Sequence, residues 1–73
     1  MANTLAQTKR ENAKLMIAIT RDLLKFEREQ VALWKKMERA ETDPENLAMV
    51  KELRIISERE VEKYEEELRS MLK

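Results

Sequence analysis

Glu27 and Glu60 are the residues of this chain that come nearest to a catalytic arrangement. Two carboxylates brought together can exchange protons with a substrate or hold a cation, and the simplest folding of the chain brings these two near each other. The rest of the sequence gives them no help. It has no histidine, cysteine or glycine, so imidazole and thiolate metal ligands and a glycine-rich phosphate loop are all missing. The pair therefore reads as two solvated charges, and the expectation is a non-enzyme without cofactor or metal. Trp34 offers a stacking surface for a base or ligand, but beside Leu33 and Met37 it fits better as an anchor in a protein contact. Gln30 and Ser57 interrupt otherwise apolar lines, and buried polar groups of that kind commonly fix register and oligomeric state.

The elements that carry these residues are set by one proline in a chain with no glycine. Asp43 is a good helix N-cap, Pro44 suits the first helical position, and Glu45 favours the positive end of the helix dipole. The spacing predicts a helix over about 8–41, a turn at about 42–43 and a second helix over about 44–72. Thr4 with Gln7 and Thr8 with Glu11 both have capping-box spacing at the start; taking the second leaves residues 1–7 frayed. So short a link folds two helices antiparallel, giving an all-α, single-domain hairpin.

The first helix carries two apolar lines. A heptad seam runs through Asn12, Met16, Ile19, Leu23, Phe26, Gln30, Leu33, Met37 and Ala40. Beside it lie Ala13, Ile17, Thr20, Leu24, Val31 and Trp34, which widen the apolar arc to roughly 160°. The second helix has its seam at Leu47, Val50, Leu53, Ser57, Val61, Tyr64, Leu68 and Met71, flanked near the turn by Met49 and Ile56. Folding at Pro44 sets residues whose numbers add to about 87 opposite each other. That register pairs Met37 with Val50, Phe26 with Val61, Ile19 with Leu68 and Gln30 with Ser57. It also lays Lys9, Arg10, Lys14, Arg21 and Lys25 beside the glutamates at the end of the second helix.

Seventy-three residues give a core that is marginal without a staple, and with disulfides and the usual metals excluded, association is the aid that remains. One helix cannot cover so wide an arc, so the hairpin is expected to dimerise into a four-helix bundle. The interface is then Leu24, Val31, Trp34, Met49 and Ile56, with Gln30 and Ser57 as a polar core layer. Fifteen basic and fifteen acidic residues cancel, which argues against a nucleic-acid or membrane surface as partner. The longest apolar run, Leu15 to Ile19, is too short to span a bilayer, so a cytoplasmic protein is the default. The functional expectation is a non-enzymatic, self-associating interaction or regulatory module. The alternatives are a small chaperone or adaptor that covers a helix of another protein and, more weakly, an RNA-binding hairpin dimer. In outline the chain is similar to small aspartyl-phosphate phosphatases, but their Ser-Gln-Glu-Leu-Asp stretch reads Val50-Lys51-Glu52-Leu53-Arg54 here, with arginine in place of the functional aspartate.

Overall fold

Thr4, not Thr8, starts the first helix. Its hydroxyl accepts from the Gln7 amide N–H at 3.2 Å while the Gln7 side chain accepts from the Thr4 N–H at 2.9 Å, closing a complete capping box. The computed structural model describes residues 4–73 and contains two helices, α1 (Leu5–Ala40) and α2 (Pro44–Met71). The expected start at residue 8 is thus corrected to Leu5; residues 1–3 lie outside the described part. Asp43 caps α2 as its sequence position suggests, accepting from the Asn46 N–H at 3.0 Å, with Pro44 in the first turn.

In the link Glu41-Thr42-Asp43 the two outer residues are extended, with φ/ψ of −80°/129° at Glu41 and −78°/124° at Asp43. The Glu41 carboxylate accepts from the N–H of Thr42 at 3.2 Å and of Asp43 at 3.0 Å, which holds that conformation. An extended residue climbs about 3.3 Å where a helical one climbs about 1.5 Å, so a link with extended residues at both ends lifts the start of α2 well past the end of α1. The register moves accordingly. Glu38 meets Arg54 and Arg28 meets Glu65, pairs whose numbers add to 92 and 93 rather than to 87.

The shift of about five residues changes which line of α1 faces α2. Thr20 and Leu24 are buried, Ile17, Val31 and Trp34 half-buried, all on what the sequence presents as the second line. Met16, Ile19, Leu23, Phe26, Leu33 and Met37, taken from the sequence as the hairpin seam, remain 40% to 52% exposed. On α2 the expected seam holds: Val50 and Ser57 are buried, and Leu47, Leu53, Val61, Tyr64, Leu68 and Met71 half-buried. The hairpin is 63 Å long and 21 Å by 14 Å across.

Because α2 ends at Met71, which stands level with about residue 21 of α1, the first turns of α1 have no helix beside them. Every described residue before Ile17 is exposed.

Candidate functional site

Leu24 and Val50 are the only buried hydrophobic side chains among the described residues, and none is completely enclosed. Two helices alone cannot do better, since each has only one neighbour. What they leave uncovered is arranged. At about 100° per residue, the exposed stripe Met16, Ile19, Leu23, Phe26, Leu33, Met37 lies roughly 100° around α1 from the line that meets α2. Met49 and Ile56, each 56% exposed, lie about as far around α2 from its own seam and in the same rotational sense. In an antiparallel pair, stripes displaced in the same sense come to the same side. These side chains form one apolar face, continuous across both helices near the turn and carried by α1 alone towards the other end, with Ile55, 40% exposed, lying outside it.

The opposite face is charged. Arg28 and Glu65 approach to 3.7 Å there, and the groove between the helices, of ≈ 370 Å³, is lined by Arg28, Val31, Lys35, Glu58, Val61, Glu62 and Glu65. Towards the turn, Arg54 donates from Nε to Glu38 Oε2 at 2.7 Å and from Nη1 to Glu58 Oε1 at 2.9 Å. The hydrogen bonds of Glu58 and then of Glu38 raise the Arg54 guanidinium above its ordinary pKa, so it stays a cation at every ordinary pH. An exposed, salt-screened pair such as Arg28 with Glu65 adds little stability, whereas a guanidinium gripped on two sides fixes the register. The basic residues expected beside the end of α2 do not all reach it. Lys9, Arg10 and Lys14 fall on the part of α1 that extends past Met71, and the ion pairs among the described residues use Arg28, Arg54 and Lys63.

The residues singled out in the sequence are placed as follows. Leu24 is buried and Val31 and Trp34 are half-buried on the side of α1 that faces α2, not on an outward face. Met49 and Ile56 are open, as an interface would need. Gln30 and Ser57 do not form a layer: Ser57 is buried in the hairpin seam at 7% exposure, Gln30 is half-buried within the apolar stripe, and no hydrogen bond joins them. The cause is the register, which puts Ser57 level with about residue 35. The same shift separates the two carboxylates, since Glu27 stands level with about residue 65, and the Glu60 carboxylate instead lies 4.0 Å from the Lys63 ammonium. Thr20 is buried at 3% and satisfied within its own helix, donating to the Met16 carbonyl at 2.8 Å.

Among the described residues no group of three or more acidic side chains is placed to hold a metal ion, and no helix is long and apolar enough to cross a membrane. Comparison with protein-family models, with curated proteins and with solved structures finds no match for this chain.

Proposed function

We propose that the chain is a non-enzymatic protein–protein interaction module that self-associates through the apolar face, two hairpins forming a four-helix bundle. The observation that carries this reading is the amount of surface left open. The hairpin exposes 6115 Å², against about 4,700 Å² for a compact monomer of its mass. The excess, roughly 1,400 Å², exceeds the ~800 Å² that each partner gives up in an interface of standard size. Six large side chains of α1 with Met49 and Ile56, each about half exposed, account for roughly 700 Å² of apolar area, beyond the patch usual on a soluble monomer. A helix in a four-helix bundle buries two adjacent stripes, one against each neighbour. On α1 one stripe is already met by α2, and the other is open. Equal numbers of acidic and basic residues mean that two copies approach without net repulsion.

Light scattering on the purified chain tests this. The expected mass is a multiple of 8.7 kDa, falling on dilution. A helical monomer at every concentration would transfer the face to a different protein, as in a small chaperone or adaptor.

A further inference from the structure

The second copy can lie on the apolar face in two ways that keep neighbouring helices antiparallel, and the structure discriminates between them. With a two-fold axis along the bundle, α1 of one copy rests on α2 of the other, at the register already seen within the hairpin. With an axis across the bundle, α1 rests on α1 of the other copy, running the opposite way. Resting on the proposal that the chain self-associates, we infer that the axis runs across the bundle and crosses α1 between Phe26 and Gln30, so that the two first helices form the centre of the interface.

Charge is the first reason. Beyond Ile56 the side of α2 that adjoins the apolar face carries Glu60, Lys63 and Glu67. An axis along the bundle would press Leu23 and Phe26 onto those charges, burying apolar side chains against groups that need water. An axis across it presses apolar stripe on apolar stripe. Ile19 then falls near Met37 of the second copy and Leu23 near its Leu33, and Phe26 and Gln30 flank the axis. The charged parts of the two second helices cross each other, with Lys63 of either copy level with about residue 65 of the other, between its Glu60 and Glu67.

Length is the second. The first turns of α1 extend past the end of α2, and every described residue before Ile17 is exposed. At the far end of the hairpin the apolar face around Met37, Met49 and Ile56 is open. Reversing the second copy brings the overhang of each α1 over the turn end of the other, so each open end is met by the other. An axis along the bundle instead puts both overhangs at one end, on diagonal corners, where neither touches apolar surface. Gln30, the polar member of the stripe, sits next to the axis in the proposed arrangement, close enough to its own copy for two amides to pair.

Electron–electron distances between single spin labels on the full chain provide the test, since the sequence has no cysteine of its own. Glu29→Cys and Glu11→Cys place a label on the outward side of α1, near the proposed axis and far from it, and circular dichroism checks that each labelled chain remains helical. With the axis across the bundle, identical positions separate by about 3 Å for every residue from the axis, twice the helical rise, giving roughly 20 Å at residue 29 and roughly 50 Å at residue 11. Equal distances at the two positions would place the axis along the bundle and overturn the inference while leaving self-association intact. No intermolecular distance at either position, in a chain that remains helical, would overturn both.

Discussion

Arg54 on α2 reaches across the hairpin to donate from Nε to Glu38 Oε2 on α1 at 2.7 Å, and this contact marks the register of the whole fold. A tight turn would have set Arg54 against Leu33. The extended link Glu41-Thr42-Asp43 carries it to Glu38 instead, and with it turns Leu24, Val31 and Trp34 inward. Arg54→Glu should lower the melting temperature, because it leaves three carboxylates together where one cation held two. Adding Glu38→Arg should recover most of the loss. Thermal unfolding of the two single variants and the double variant measures the coupling; independent, additive losses would mean that the pair has no part in setting the register.

Leu24 and Phe26 are two residues apart and should respond in opposite ways. Leu24 is 5% exposed and packed on α2, so Leu24→Ala should cost about 2–4 kcal/mol and loosen the hairpin itself. Phe26 is 52% exposed in the single hairpin, so Phe26→Ala should act mainly on assembly. Solution mass and helix content, measured together over a concentration series, separate the two effects. Loss of helix in Phe26→Ala at concentrations where wild-type monomer stays helical would return Phe26 to the hairpin core.

The sequence shows most of this fold and misreads one rotation. The two helices, the cap at Asp43 and the seam of α2 are legible because local chemistry decides them, whereas Thr4 and Thr8 offer the same capping-box spacing and the expected start at Thr8 is not the one adopted. The face of α1 is not. Its two apolar lines are equally regular, and only the climb of the link, a property of φ and ψ at Glu41 and Asp43, selects between them. One signal was present: the heptad seam of α1 continues back to Asn12 and Met16, farther than a helix ending at Met71 can follow once the link is extended. The exchange also explains why Gln30 and Ser57, each a polar interruption, lie on different faces.

Met16 lies just where α1 begins to outrun α2, so Met16→Glu should leave the folded hairpin unchanged. In the assembly the same side chain comes under the second copy. The dissociation constant should rise by roughly tenfold or more, a change of about 1.4 kcal/mol or above. Sedimentation equilibrium reads it directly. An unchanged constant would remove the overhang from the interface.

Thr20 is buried, yet its hydroxyl serves only the Met16 carbonyl of its own helix. Thr20→Val keeps the shape and leaves that carbonyl its ordinary helical partner, so stability should change by less than about 1 kcal/mol. A larger loss in chemical denaturation would show that the hydroxyl has a partner across the seam or in the second copy.

Met16, Met37 and Met49 give the most direct measurement of the central claim, since all three lie on the apolar face and are 52%, 41% and 56% exposed in the single hairpin. Peroxide oxidises a thioether at a rate set by its access to solvent, and mass spectrometry resolves the three sites individually. With free methionine as an internal reference, the account predicts that all three are protected at concentrations where the chain is assembled and become reactive together as it is diluted. Oxidation at the rate of free methionine at every concentration, in a chain that keeps its helices, would contradict it.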